Sequence, residues 1–522
     1  MSEMSYPAIP DPEGVERVYG ELLARAPENK MAPRLDAVRR AVEILGDVHR
    51  AAPVIHITGT NGKTSTARMI ESLLLAHDLR TGRFTSPHLE SVTERISING
   101  EPVPDATFVR VWDEILPYLT LVDEEFAARG EPKLTFFESI TELAFAIFAD
   151  EPVDVVILEV GIGGSWDSTN VADGIVSVVA PVGLDHTDML GDTLAEIATE
   201  KAGIIKPDGY LISAAQDPEV ATILLDTARK QNAKYAFEGV EFGVVERDRA
   251  VGGQLLTLRG LAGEYPEIEL PLHGEHQGQN ASLALAAVEA FFGGDRALAR
   301  DVVLAGFAQV RSPGRLEMIR NEPLVVLDAA HNPHGVRAAS TAFKEAFELS
   351  HVHAVVGILG EKDALGIFEV LREEYVDSTD ATFRLYLSAS DSSRAIAPEE
   401  LQEIALDAGF DEDIITVCDH LDEALATAME NALFEQESAG VLVTGSVTVI
   451  GEARTLLAQP AQESTAQHNA EPEELAEAAE TDSDELFGEI MAELAGEEPR
   501  EIPLEDSLGL PLADGTDNPE ES

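Results

Sequence analysis

Residues 54–69 read VIHITGTNGKTSTARM. An apolar, β-branched run comes first, then a Gly-Thr-Asn-Gly-Lys-Thr turn, then a segment with helical spacing. That order constrains the fold more than any other stretch. A strand feeding a helix through a glycine-rich loop belongs to a parallel α/β sheet, and the loop gathers main-chain N–H groups at a helix N-terminus. Such a cradle suits phosphate. Gly59, Thr60, Asn61 and Gly62 would form its floor, Lys63 would bring a point charge, and Thr64 or Ser65 a hydroxyl for Mg2+. A strict phosphate loop carries a further glycine at position 57, where Ile57 stands, so a chance glycine turn is the competing reading. The loop by itself means nucleotide. It does not separate a kinase, a motor, a switch or a ligase.

The rest of the chain fits the same architecture. Residues 152–161, 175–183 and 209–215 read as buried strands, and residues 193–205 between them have helical spacing. This alternation predicts a mostly parallel sheet covered by helices. Residues 254–274 predict short strands at the edge of this first domain, and residues 280–294 a helix ended by glycine. A second alternating set runs through residues 324–335, 353–360, 384–390 and 440–454, without a lysine-bearing loop of its own. Pro313 and Gly314 mark the join. The expected organisation is an N-terminal extension (1–29), an ATP-binding domain (30–311), a smaller Rossmann-like α/β domain (318–460) and an acidic tail (461–522).

Composition narrows the partners. Against 36 Lys and Arg stand 96 Asp and Glu, a formal net charge of −60. That argues against non-specific nucleic-acid binding and against anionic membrane surfaces. A salty cytoplasm would favour such a balance; so would an acidic protein of no special habitat. Cys418 is the only cysteine, which fits a reducing cytosol and reads as a core residue. The start of the chain has no basic and apolar pattern of a secretory signal, so a cytoplasmic location is expected. The tail holds about twenty carboxylates and one basic residue, Arg500, and reads as disordered. Within it, residues 484–498 have helical spacing and could dock an unknown protein partner. A merely solubilising tail is the plainer reading.

Four further stretches carry chemistry. Residues 83–100 (RFTSPHLESVTERISING) follow the first helix. Residues 158–170 place Glu159 at the end of a buried strand. Residues 181–193 place His186 past the next strand, and residues 198–207 hold Lys201 at a helix end. Ligands gather outside the carboxyl ends of parallel strands, so these groups can meet the loop at one metal–nucleotide site. A carboxylate suits Mg2+ well and a lone histidine poorly.

Together, GTNGKTS, TSPHL with ERI and ING, EVGIGG with D and TN, GLDH with LG, and EKAGIIK resemble the folylpolyglutamate synthase/dihydrofolate synthase family of the Mur ligase superfamily. HGEHQGQNASLALAA (273–287), PGRLE (313–317), DAAHNPHG (328–335) and TGSVTVIGEAR (444–454) continue the resemblance in order, over roughly residues 30 to 455. The resemblance implies that Gly59 to Ser65 bind the phosphates of ATP. It implies that Ser86 and Glu159 ligate Mg2+, that His186 helps hold a second metal, and that Lys201 is carbamylated; an ordinary lysine in a salt bridge is the alternative. Asn280 and Arg315 would contact nucleotide, with Asp328 near its ribose. His331 and Ser446 would place the incoming glutamate, and Arg95 matches an arginine near the same cleft. Two departures stand out. Thr64 stands here, as in the wall-building Mur ligases, where many folate-family members have glycine, and the usual Asp-Lys-Asp of the second domain is Glu361-Lys362-Asp363.

The implied reaction is an ATP-dependent ligation of L-glutamate to dihydropteroate, a reduced folate, or both. ATP activates the carboxylate as an acyl phosphate, and the glutamate amine displaces phosphate. Phe136 and Phe137 could line the pterin pocket or could equally be helix-core aromatics. The alternatives are a Mur-type ligase acting on a UDP-linked wall precursor, for which little chain precedes the loop, and a phosphate-loop kinase or ATP-gated interaction protein.

Overall fold

The computed structural model describes residues 10–26, 33–435 and 437–458. The expected tail and its helical segment lie outside these residues. Among the described residues, the first lobe carries one eight-stranded sheet: β1 (Val54–Thr58), β2 (Thr81–Phe84), β3 (Ile96–Ile98), β4 (Glu101–Pro102), β5 (Val155–Glu159), β6 (Gly174–Val179), β7 (Tyr210–Ser213) and β8 (Lys234–Phe237). Its spatial order is β4-β3-β2-β5-β1-β6-β7-β8, parallel from β2 to β8, with β3 and β4 antiparallel at one edge.

Helices cover both faces, because strands buried on both sides need two apolar layers. They are α1 (Pro12–Leu23), α2 (Asp36–Ile44), α3 (Lys63–Ala76), α4 (Asp105–Ala128), α5 (Phe136–Asp150), α6 (Thr187–Leu190), α7 (Leu194–Lys201), α8 (Pro218–Lys230), α9 (Glu275–Phe291) and α10 (Arg300–Ala308). Alternation along β1 divides the layers. Ile55 and Ile57 pack with Met69 of α3, Leu285 of α9 and Phe307 of α10. Val54 packs on the other face with Val18 of α1, Trp112 of α4 and Ile140 of α5.

Residues 243–270 differ from the sequence expectation. They form a separate antiparallel sheet of β9 (Gly243–Ala250), β10 (Gly253–Arg259) and β11 (Glu264–Leu270), packed on α9 and α10. Strand β9 escapes sequence reading because GVVERDRA is mostly polar and exposed. Helix α9 also begins five residues before the expected start, at Glu275, where polar Gln277 and Asn280 face inward.

The second lobe has β12 (Glu317–Asn321), β13 (Leu324–Leu327), β14 (His351–Val356), β15 (Thr382–Leu387), β16 (Ile415–Val417) and β17 (Ala439–Thr444), in the order β12-β13-β17-β14-β15-β16. Only β12 runs antiparallel to its neighbour. Helices α11 (Pro333–Ala346), α12 (Ala364–Arg372) and α13 (Pro398–Asp407) cover one face, and α14 (Leu421–Phe434) and α15 (Val447–Ala458) the other. Cys418 is buried in the latter layer. Among the described residues, no helix is long and apolar enough to cross a membrane.

Candidate active site

The loop leaving β1 turns sharply into α3. Gly62 has φ +83°, and a Cβ there would lie 2.5 Å from the Asn280 Oδ1 of α9. A Cβ on Gly59 would lie 2.7 Å from the Ala180 Cβ. Only glycine allows the main chain to pass so near both neighbours. Lys63 Nζ folds back over the loop and donates to the carbonyls of Gly59, at 3.1 Å, and Thr60, at 3.3 Å. Lys201, the last residue of α7, donates to the same Gly59 carbonyl at 2.8 Å. Burial, and then the charge of Lys63, bring the Lys201 pKa down to about 7. Burial lowers Lys63 too, opposed by Glu159 and Asp185.

Glu159 ends β5 facing the start of α3, almost fully buried. The Thr64 hydroxyl reaches its two oxygens at 2.9 and 3.0 Å, and the Ser86 N–H points to it at 3.4 Å. Burial raises the Glu159 pKa while Lys63 pulls it back. Ser65 turns away, its hydroxyl 3.1 Å from that of Ser312 in the inter-lobe linker. Of the two hydroxyls left open by the sequence, Thr64 is the one beside the carboxylate.

His186 is the N-cap residue of α6, with a left-handed φ of +51°. Burial, then Lys362, lower its pKa to about 4, so the ring is neutral. Its neighbour Asp185 receives Lys362 Nζ at 3.2 Å from the second lobe. Burial pushes the Asp185 pKa up, but His186, Lys362 and His331 outweigh it and hold the carboxyl ionised.

The second lobe presents residues 328–335 to this cluster. Asp328 is buried, accepts from the N–H groups of Leu316, at 3.0 Å, and Ala330, at 2.9 Å, and has its pKa raised by burial against the pull of Arg315. His331 Nδ1 lies 2.9 Å from the Ala329 carbonyl, so Nδ1 carries the hydrogen and Nε2 keeps its lone pair. Burial, then Lys362, hold that ring neutral, with a pKa of about 3. Asn61 of the phosphate loop meets Asn332 at 3.0 Å.

Other expected residues stand apart. Ser446 leads into α15, its hydroxyl accepting from Val449 N–H at 3.2 Å and lying 3.2 Å from that of Thr448. Arg95 is buried under the 85–95 loop, donates to His88 Nδ1 at 2.8 Å and stacks over Phe136 at 5.1 Å. Phe136 and Phe137 are both buried in the layer of α5. Phe137 lines a narrow cleft with Arg34, Thr135, Glu138, Trp166 and Asp167. Asp185, Asn332 and this cleft were missed by sequence reasoning. The motifs GLDH and AHNP contain the first two, but nothing local reveals that they pair across lobes.

Family models match the chain twice. A Mur ligase middle domain covers residues 57–288, and a Mur ligase glutamate ligase domain covers residues 314–447. A dihydrofolate synthase/folylpolyglutamate synthase of Mycobacterium tuberculosis is 43% identical over 480 residues, 87% of this chain and 96% of that protein. The chain belongs to the dihydrofolate synthase/folylpolyglutamate synthase family of Mur ligases. The solved members superpose over both lobes. Mycobacterium tuberculosis folylpolyglutamate synthase complexed with ADP and AMPPCP gives a TM-score of 0.80 at 42% identity, covering 86% of this chain and 99% of that one. Escherichia coli FolC in complex with DHPP and ADP gives 0.72 at 29% identity, covering 85% and 97%. In this synthase family, the phosphate loop and residues 328–335 are therefore parts of one two-lobed ligase.

Proposed function

We propose that the protein is an ATP-dependent ligase that joins L-glutamate to dihydropteroate, to reduced folates, or to both. The observation that carries the reading is the meeting of the phosphate loop with residues 328–335 of the second lobe, through Asn61 and Asn332. A nucleotide held on one lobe thereby faces an amine-binding loop on the other, which suits acyl transfer between bound partners.

Gly59 to Ser65 hold the ATP phosphates, and Asn280, Arg315 and Asp328 hold its nucleoside end. The acid binds near Arg95, whose guanidinium lies over the Phe136 ring at 5.1 Å on the first lobe. A carboxylate oxygen of the acid attacks the γ-phosphorus and ADP departs. Lys63 stabilises the charge that spreads over the transferring phosphoryl. The glutamate amine, placed by His331 and Ser446, then attacks the acyl carbon. Phosphate leaves with the original carboxylate oxygen, and the amine gives up a proton. The buried junction of the lobes keeps water from the acyl phosphate.

Mg2+ fits this donor set. Glu159, Thr64 and Ser86 offer hard oxygen atoms, and when bound the ion neutralises phosphate charge. Among the described residues no group of three His, Cys, Asp or Glu is arranged around a metal. Phosphate and water oxygens would complete the shell, as is usual for this ion. His186 would serve a second ion. A pKa of about 7 leaves much of Lys201 unprotonated at neutral pH. Its lone pair can add to CO2 and release a proton, giving a carbamate that joins the oxygen donors. This assignment of roles is our reading, as are a cytoplasmic location and a protein partner for the tail.

The test supplies purified protein with ATP, Mg2+ and glutamate, and separately with dihydropteroate labelled with oxygen-18 in its carboxylate or with tetrahydrofolate. Glutamate-dependent phosphate release carrying the label is expected. Amide formation with unlabelled phosphate would exclude the acyl phosphate. Turnover only with a UDP-linked precursor, or a phosphorylated product without glutamate, would exclude the folate reading.

A further inference from the structure

We propose that Asn332 is a positioning residue that makes the placement of His331 depend on the state of the phosphate loop. The inference rests on the ligase reading above and concerns how its two half-sites are coupled.

Asn332 is the N-cap of α11. Its Oδ1 accepts the Gly335 N–H at 2.8 Å, which satisfies one of the open donors of the helix. Capping needs only that oxygen. The amide nitrogen is left over, and it reaches across the lobe junction. It donates to Asn61 Oδ1 at 3.0 Å and lies 3.3 Å from Asp185 Oδ2. Asp185 in turn holds Lys362 through its other oxygen. Asn61 also sets its own amide nitrogen 3.1 Å from His334 Nδ1, one residue into the same helix. One side chain, 5% exposed, thus joins the phosphate loop, the segment after β6 and the second lobe.

The choice of residue is informative. Serine, threonine and aspartate cap helices about as well as asparagine. None of them presents a cap acceptor and a bridging amide donor at once. The bridge also touches the reaction directly in the chain, because His331 is the preceding residue. Its ring direction follows the backbone of residues 329–332 through the Ala329 carbonyl. Asn61 lies in the middle of the loop whose N–H groups cradle phosphate, so filling the loop fixes the partner that Asn332 must find. Two other contacts between the lobes, Arg247 with Glu345 at 2.6 Å and Arg454 with Glu90 at 3.1 Å, involve no residue of the loop, whereas Asn61–His334 and Lys362–Asp185 remain in place when Asn332 is changed.

The test compares wild type, Asn332→Ser, Asn332→Ala, Asn61→Ala and the Asn332→Ser/Asn61→Ala double variant in glutamate-dependent phosphate release and in thermal melting. Serine keeps the cap and removes the bridge. Asn332→Ser should melt within about 2 °C of wild type. Its kcat should fall about tenfold, its KM for glutamate should rise, and its KM for ATP should stay within about twofold, in the range usual for coupling between sites. The double variant should be no slower than the slower single variant, since both remove the same contact. Wild-type kcat and glutamate KM in Asn332→Ser would overturn the proposal. So would losses that multiply in the double variant, or melting lowered as far as in Asn332→Ala, which marks a cap and nothing more. A wild-type protein inactive with both folates would instead defeat the ligase reading.

Discussion

Lys63 and Glu142 show two fates for a buried charge. Lys63 donates to the carbonyls of Gly59 and Thr60 and feels the charges of Glu159 and Asp185, ready to face phosphate. Replacing it with alanine should lower kcat about a hundredfold or more, while melting changes little; a variant with near-normal turnover would remove Lys63 from the chemistry. Glu142, in the middle of α5, is 0% exposed, and among the described residues neither of its oxygens has a hydrogen-bond partner. Burial, and then Glu138, raise its pKa well above 4.5. The folded protein therefore keeps a proton that the unfolded chain releases, so this group's contribution is present below about pH 4.5 and is lost as pH rises toward the folded value. Glu142→Leu should melt higher near neutral pH, by an amount reflecting about 1–3 kcal/mol. The gap over wild type should widen from pH 4.5 upward, and a gap independent of pH would show that the carboxyl is not protonated in the fold.

At the scale of elements, β1, its loop and α3 were legible because their apolar period changes from strand to helix across a glycine turn within sixteen residues. Strands β5, β6 and β7 were legible for a related reason, being short apolar runs bounded by turns. Strand β9 was not, since its side chains are mostly solvent-facing and carry no period of their own. The pairing inside the site was also illegible. Asn61 and Asn332 are 271 residues apart, and Asp185 and Lys362 are 177 apart. No local pattern encodes such meetings; the topology of two sheets makes them. A buried ion pair ties α3, which was legible, to β2, which was not read as a strand. Arg83 of β2 donates from Nε to Glu71 of α3 at 2.6 Å, with both side chains almost unexposed. Arg83→Met would leave the buried Glu71 carboxylate, among the described residues, with only the Gly100 N–H, at 3.1 Å, and the Thr81 hydroxyl, at 3.3 Å, at a cost of up to about 3–5 kcal/mol. Urea unfolding should shift accordingly, and a shift below about 1 kcal/mol would mean that Glu71 finds other partners.

For the whole molecule, charge and lobe arrangement dominate. A formal net charge of −60 makes the surface repel itself, and salt shortens the reach of that repulsion from about 10 Å at 0.1 M to about 3 Å at 1 M. Melting temperature should rise with sodium chloride across this range; a flat or falling curve would show that the ion pairs of the surface outweigh the surplus. Helix α15 closes the described part of the second lobe at Ala458. A chain ending there should retain glutamate-dependent phosphate release, and its loss would make the acidic tail part of the machine. One carbonyl, that of Gly59, is shared by two ammonium groups, from Lys63 and Lys201. The loop in this state is thus already cross-tied by its own cations. An arriving nucleotide has to win Lys63 away from the backbone, and carbamylation of Lys201 would release the second tie, so the modified loop meets phosphate with one fewer contact to displace.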